Sequence, residues 1–240
     1  MERECPTLLG LYVRCALSMA GLLLIRTSYG GKLQRIERMI HHYGSTLNAL
    51  PLLAEFRQSP NDTHLLRAGY GGITGPLSNI RRDGSMYNGF HSFPDTLRGD
   101  DYSGDYGQNF LGAILGSGCY VVDDADVGLA AYGGNLEVAG KSIIVSPRDA
   151  VRRRVYIAQM GVYITLSAGQ IEKVSFETGS SAVQLHLVPG PARSSSAIVW
   201  VETPGTNDEY AVSSGQSKKQ RGGWQVELGT EGVDVRVSKT

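Results

Sequence analysis

The residues best suited to chemistry are concentrated between Tyr87 and Phe110, in the run YNGFHSFPDTLRGDDYSGDYGQNF. These 24 residues contain six of the chain's 19 aromatic side chains. The same run carries carboxylates at Asp95, Asp101 and Asp105. Sugars present apolar C–H faces that stack on aromatic rings, and hydroxyl groups that hydrogen-bond to carboxylates. The segment therefore predicts a concave, solvated site for carbohydrate, and glycoside hydrolysis in its usual form uses a pair of carboxyl groups.

The three aspartates are the candidate catalytic acid and base. The candidate substrate contacts are aromatic and imidazole side chains: His91, Tyr102, Tyr106, Tyr70 and His42. Two alternatives stay open for the acidic residues. An Asp before Gly or Ser in a loop often makes only a local Asx turn, and oxygens from Asp100, Asp101 and Asp105 could hold calcium, although their spacing does not follow the usual calcium loop.

Composition and motifs exclude several classes of protein. The 23 basic residues balance the 23 acidic ones, so there is no net field to draw the chain to nucleic acid. The three cysteines have no zinc-ligand spacing. The glycines at 69–75 lack both the dinucleotide-binding pattern and the lysine of a phosphate loop. The sequence therefore predicts no cofactor, no bound metal and no nucleic-acid partner.

The apolar run at residues 7–25 is ambiguous. It has one charge, Arg14, and about the length that a transmembrane helix needs. Glu2 and Glu4 are atypical of a signal peptide, and an arginine within a span is costly to insert. We expect a buried helix, with a membrane anchor as the alternative.

Helical signals continue to residue 115. Residues 32–58 have an amphipathic pattern that we expect to break at Gly44 and Ser45, with a second helix from Asn48 to Arg57. Residues 61–63 offer an N-cap for a third helix, which the glycines of 69–76 should end. A last short helix is predicted at 108–115.

From Cys119 onward, apolar residues alternate with polar ones, as in half-buried strands. Clusters of glycine separate about ten candidate strands, at intervals that suit an antiparallel sandwich. The pattern places Trp200 and Trp224 in phase with buried neighbours and His186 in the outward phase. It therefore predicts two core tryptophans and a solvated histidine.

Several runs resemble a family of large fungal and bacterial proteins known chiefly as a domain of unknown function. The resemblance rests on YGGKLQRIERMIHHYGSTLNALPLL (29–53), LLRAGYGGITGPLSNI (65–80), HSFPD (91–95), DDYSGDYGQNFLG (100–112) and SPRDAVRRRVYIAQMGVYITLSAG (146–169). Members of that family look like six-hairpin glycosidases. The resemblance implies an α+β multidomain chain, with the C-terminal part of an α/α toroid over 1–117 and a β-sandwich over 118–240. It also implies an extracellular protein and a chain that is one part of the whole.

Three functions remain open. The leading expectation is a glycoside hydrolase-like protein that acts on an oligo- or polysaccharide. A non-catalytic carbohydrate-binding or structural module is the second, with the binding carried by the sandwich. The third is a polysaccharide lyase of the toroid type, in which a His and a Tyr such as His42 and Tyr43 handle a uronate and its proton.

Overall fold

The computed structural model describes residues 42–74, 116–149, 151–206, 208–214, 217–220 and 222–240. The chain divides into two compact units, and each is described by itself. One unit consists of residues 1–56 and 62–116, and the other of residues 57–61 and 117–240. The described α-helical residues lie in the first unit except for Arg57 and Gln58, and the second unit is a β-sandwich.

Two α-helices are described: α1 (His42–Gln58) and α2 (Thr63–Thr74). The predicted break at Gly44 and Ser45 is wrong, because α1 is continuous and has Pro51 in its interior. A proline there removes one backbone hydrogen bond without preventing the remaining ones. The predicted N-cap of α2 is confirmed, since the Asp62 carboxylate accepts the backbone N–H of His64 at 3.2 Å.

Of the glycines expected to end α2, Gly69, Gly71 and Gly72 lie inside it, and Gly75 lies outside the described residues. A Cβ at Gly69 would lie 2.9 Å from Leu53 Cγ and 3.3 Å from the carbonyl oxygen of Ala49, both in α1. The missing side chain therefore lets the two helices approach closely. Because helix packing uses the space that Gly69 leaves, the glycine does not act as a C-terminal signal here.

In the described residues after α2 there are thirteen strands and one short 3₁₀ helix, at Ala158–Met160. The strands are β1 (Cys119–Asp124), β2 (Gly128–Tyr132), β3 (Gly134–Ala139), β4 (Ser142–Pro147), β5 (Arg154–Ile157), β6 (Val162–Leu166), β7 (Gln170–Glu177), β8 (Ala182–Val188), β9 (Ser196–Glu202), β10 (Tyr210–Ser213), β11 (Ser217–Gln220), β12 (Gly223–Glu227) and β13 (Val233–Lys239).

These strands form two sheets. The seven-stranded sheet has the order β11-β12-β9-β6-β5-β1-β2, and the six-stranded sheet has the order β10-β13-β8-β7-β4-β3. All described pairings are antiparallel except that of β1 with β5, which is parallel. The apolar faces meet in one core, which includes Val121 and Ile164 from the first sheet and Leu185 and Val235 from the second. Burial of these faces is the main force that holds the sandwich together.

The β-sandwich is confirmed, but the expectation of a partial α/α toroid is wrong. In the part of the chain that the structure describes, thirteen strands accompany two α-helices, and no α/α toroid is present. Only a few helical segments could be identified from periodicity. The repeated hairpins of a toroid were implied by the resemblance alone, so the error came from the analogy and not from the pattern of apolar residues.

Neither described helix is long and apolar enough to cross a membrane. The apolar run at 7–25 and the helix predicted at 108–115 lie outside the described residues. Their interpretations stay predictions.

We expect Gly134→Ala to destabilise the protein by about 1–3 kcal/mol, the usual cost of an extra methyl group in a packed core. A Cβ at Gly134 would lie 2.7 Å from the Cys119 Sγ atom and 3.0 Å from Val145 Cγ1. Urea denaturation of the full chain measures the change. Since Cys119→Ala removes the main clash, the double variant should recover part of the loss.

Gly71→Ala is the control for this prediction. A Cβ at that helical position meets nothing within 4 Å, so this substitution should be neutral or mildly stabilising. If the losses in the free energy of unfolding caused by Gly134→Ala and Cys119→Ala are additive in the double variant, a clash with the Cys119 thiol is not the cause of the destabilisation by Gly134→Ala.

Candidate functional site

Most residues of the predicted carbohydrate site lie outside the described part of the chain. These are Asp95, Asp101, Asp105, His91, Tyr102 and Tyr106, together with Asp100 of the calcium alternative. Two others are placed on helices: His42 begins α1, and Tyr70 is a partly buried residue of α2. The Tyr70 carbonyl oxygen accepts the Thr74 hydroxyl at 3.0 Å. That the predicted site residues lie close together in one site therefore stays a prediction.

Sequence reasoning missed a cluster of aromatic and cationic side chains on the outer face of the seven-stranded sheet. This tyrosine cluster consists of Tyr120 on β1, Tyr156 on β5, Tyr163 on β6, and Arg57. The rings of Tyr120 and Tyr156 are 6.1 Å apart, and those of Tyr156 and Tyr163 are 6.5 Å apart. All three side chains are buried. The cluster is therefore a packed layer and not an open binding surface.

Arg57 contacts all three tyrosines of the cluster. Its guanidinium donates to the Tyr120 hydroxyl at 3.1 Å and lies 4.4 Å from the centroid of the Tyr163 ring. The Tyr156 hydroxyl donates to the Arg57 carbonyl oxygen at 3.1 Å. These contacts attach the segment 57–61 to the sheet. The signal in the sequence is weak: tyrosines occupy the polar phase of three strands, and the arginine lies 63 residues before Tyr120.

Burial keeps these phenols neutral. It raises the pKa of Tyr120 and of Tyr163, and it raises the pKa of Tyr156 to about 12, while the nearby Arg57 charge opposes the shift in each case. Because burial is the larger effect for all three, none of them is prepared to lose a proton near neutral pH. The cluster is structural and does not supply an acid or a base.

We expect the protein to lose stability as the pH rises from about 10 toward about 12. The pKa of Tyr156 in the folded state is near 12, above its ordinary value of 10.0, so the unfolded chain releases this proton first. The stabilisation is therefore complete below the unfolded pKa and is lost as the pH approaches the folded one. Melting temperatures measured across this window should fall steadily, and Tyr156→Phe should make the fall shallower. A melting temperature that stays constant through the window would contradict this interpretation.

Two carboxylates outside the predicted site accept hydrogen bonds from nearby residues, although Asp149 Oδ2 is a buried oxygen without a hydrogen-bond partner among the described residues. Asp124, which is 2% exposed, accepts the backbone N–H of Asp126 and the hydroxyl of Tyr132, both at 2.9 Å. Asp149 Oδ1 accepts the backbone N–H groups of Val151 and Arg152 at 3.0 and 2.7 Å. Burial raises the pKa of Asp149, and these two hydrogen bonds oppose the shift. Both arrangements are turns that an aspartate stabilises, not paired catalytic carboxyls.

The prediction that both tryptophans belong to the core is correct for Trp224 only. Trp224 packs against the core, and the Lys219 ammonium lies 5.8 Å from its ring centroid. Along β9 the core positions are Ala197 and Val199, so Trp200 points to the opposite, outer face of the seven-stranded sheet. It is only partly buried there.

Trp200 lies over the neighbouring strand β12. A Cβ at Gly223 would be 2.8 Å from Trp200 Cδ1, so the glycine leaves space for the indole. The same face carries polar side chains on adjacent strands. Gln225 pairs with Lys218 of β11, and its amide donates to Glu227 at 3.2 Å. We call Trp200, Gln225, Glu227 and Lys218 the Trp200 face.

His186 lies on the outer face of the six-stranded sheet, as its phase along β8 predicts, and it contacts two carboxylates. Within the described ranges, no group of three or more His, Cys, Asp or Glu side chains converges in a way that could by itself hold a metal ion.

Taken together, the described geometry defines a β-sandwich protein with an aromatic-bearing outer face. The chain belongs to DUF5695, a family of unknown function whose model matches residues 26–235. The prediction of an uncharacterised family is thereby confirmed. No curated protein and no solved structure matches the chain.

Proposed function

We propose that this chain is a carbohydrate-active protein of the glycoside hydrolase type, acting on an oligo- or polysaccharide outside the cell. The observation that supports the proposal is the concentration of aromatic and acidic residues between Tyr87 and Phe110. Two of the described carboxylates, Asp124 and Asp149, stabilise local turns, and the proposal places the acid and the base in the run 87–110.

The chemistry requires two carboxyl groups with different roles. One of Asp95, Asp101 and Asp105 would protonate the leaving glycosidic oxygen, and another would activate water or attack the anomeric carbon. His91, Tyr102 and Tyr106 would contact sugar rings and hydroxyl groups, with Tyr70 and His42 as further contacts. The reaction needs no cofactor.

A product analysis tests the proposal. The full chain is incubated with a panel of neutral and acidic polysaccharides, and new reducing ends are measured together with ultraviolet absorbance. Hydrolysis creates reducing ends without an unsaturated product, whereas elimination by a lyase creates both. Reducing ends without the absorbance support the hydrolase proposal; a panel that yields neither product argues against catalysis.

A second candidate, a carbohydrate-binding module without catalysis, is favoured by the Trp200 face. A partly exposed indole on the outer face of a sheet can stack on a sugar ring. Gln225, Glu227 and Lys218 on the same face offer donors and acceptors for hydroxyl groups. In this alternative the sandwich binds glycan and the helical unit is a scaffold.

We expect Trp200→Ala to weaken glycan binding by at least about tenfold if the Trp200 face binds sugar, because it removes the stacking surface. Val138→Ala is the matched control, since Val138 is an exposed apolar residue of the other sheet, 55% exposed. Binding of fluorescent oligosaccharides to the full-length variants measures the difference. Equal affinities for the two variants would exclude this face as the binding site.

A further inference from the structure

We propose that Asn61 is the acceptor for an N-linked glycan, attached in the turn between α1 and α2. Asn61, Asp62 and Thr63 form the Asn-X-Thr triplet that N-glycosylation requires, with a residue other than proline in the middle. The inference rests on the extracellular location in the proposed function, because a chain receives this modification in the secretory pathway. It concerns a glycan carried by the protein and not one that the protein binds or cleaves.

Asn61 is the only one of the chain's seven asparagines that lies in such a triplet. The other six have leucine, arginine, phenylalanine or glutamate at the second position after the asparagine, where the acceptor needs a hydroxyl group. A modified chain should therefore carry a single glycan on a single residue. The mass of the intact chain can test this stoichiometry directly.

The folded structure leaves room for a glycan at this position. Asn61 is exposed, and its neighbours Gln58, Ser59 and Asp62 are exposed as well. Within the described ranges, the Asn61 side chain makes no hydrogen bond or ion pair. Attachment of a bulky, hydrated group therefore removes no contact of the folded chain, and surface turns tolerate such groups well.

The turn is held by residues on both sides of Asn61 and not by Asn61 itself. On one side, Arg57 contacts the tyrosine cluster, and the Gln58 carbonyl oxygen lies 2.7 Å from the position that a Cβ at Gly205 would take. On the other side, the Asp62 carboxylate caps the first turn of α2. Replacing the Asn61 side chain should therefore leave the fold unchanged.

The transfer joins the Asn61 amide to a sugar. The amide nitrogen attacks the anomeric carbon of an oligosaccharide carried on a polyprenyl diphosphate, and a C–N bond forms as the C–O bond to the diphosphate breaks. The nitrogen loses one proton, and the polyprenyl diphosphate leaves with the electron pair of the broken bond. The secretory pathway supplies this donor and the transferase, and the step needs neither an oxidant nor a reductant.

Mass spectrometry of the full chain, secreted from yeast behind a cleavable leader, tests the proposal. The mass is measured before and after treatment with an amidase that removes N-linked glycans, and a peptide map locates the aspartate that the amidase leaves in place of Asn61. We expect one glycan per chain. Asn61→Gln and Thr63→Ala should each abolish it, whereas Thr63→Ser keeps the hydroxyl group and should retain it.

Glu137→Thr, introduced together with Asn61→Gln, is the control. It creates an acceptor triplet at 135–137, where Asn135 is exposed on β3. A glycan on Asn135 in this double variant would show that the loss in Asn61→Gln comes from the missing acceptor and not from failure to enter the secretory pathway.

A secreted wild-type chain without a glycan at Asn61 would overturn the proposal, and so would a glycan that persists in both Asn61→Gln and Thr63→Ala. Hydrolysis of polysaccharide, measured on the same secreted protein, separates this inference from the proposed function. An unmodified Asn61 in a protein that cleaves polysaccharide contradicts only the inference. A glycan on Asn61 in a protein that yields no product supports the inference and argues against the hydrolase.

Discussion

Substituting alanine for the catalytic acid among Asp95, Asp101 and Asp105 is expected to lower glycan hydrolysis by about 10²–10⁴-fold. Proton transfer by a positioned side chain contributes a factor of this size to catalysis. The residue that acts as the nucleophile or base should show a loss at least as large, and the third aspartate a smaller one. Initial rates on the glycan that the full chain cleaves provide the measurement.

Asp123→Ala is the control for these three variants. Asp123 is an exposed residue near the end of β1, so its removal changes the charge equally without touching the predicted site. Unchanged melting temperatures would show that lost activity reflects chemistry and not unfolding. If all three aspartate variants keep the activity of Asp123→Ala, the catalytic assignment is wrong.

Arg57→Ala should produce the second large effect, a loss of about 2–4 kcal/mol in the free energy of unfolding. The substitution removes the guanidinium that donates to Tyr120 and packs on Tyr163. A hydrogen bond from a charged donor contributes about 1.5–3 kcal/mol, and a desolvated cation–π contact about 0.5–2 kcal/mol. Denaturant unfolding of the full chain measures the loss.

Two further variants make this prediction specific. Arg57→Lys keeps the charge but loses the planar group, so it should recover only part of the stability. Arg236→Ala removes an exposed arginine of β13 and should change stability by no more than about 0.5 kcal/mol. An Arg57→Ala cost as small as that of Arg236→Ala would show that the guanidinium does not stabilise the tyrosine cluster.

The strands of the sandwich could be predicted because their signal is local. In β8, alternation of Val183, Leu185 and Leu187 with polar residues corresponds directly to one buried face. Glycine clusters marked the turns for the same reason: Gly133, Gly179 and Gly190 all adopt the positive φ that side chains disfavour. What could not be predicted was which strands pair, and in particular that β1 lies parallel to β5.

The errors arose where a residue's role depends on a distant partner. In the sequence Gly69 resembles the end of a helix, but its close approach to Leu53 and Ala49 of α1 explains why a glycine is needed there. Trp200 resembled a core residue because β9 is apolar on both faces, with Ile198 beside it on the outer side. The contacts of Gly69 with the other helix and the outward position of Trp200 cannot be recognised from the local pattern of apolar residues.

The candidate sites show the same division. The carbohydrate site was proposed from composition, which needs no geometry, and its aspartates lie outside the described residues. The tyrosine cluster and the contacts of His186 with Glu172 and Asp234 join residues far apart in the chain, so only a structure could assemble them. Contacts of this kind depend on strand order and register, and a single sequence specifies neither directly.

Glycan binding by the full chain tests the carbohydrate proposal most directly. The wild type, Trp200→Ala and the triple variant in which Asp95, Asp101 and Asp105 are alanine are compared on one array of oligosaccharides, with cleavage products identified by mass spectrometry. We predict that the wild type binds and cleaves one class of glycan and that the triple variant no longer cleaves it. A wild-type protein that neither binds nor cleaves any glycan on the array would contradict the account.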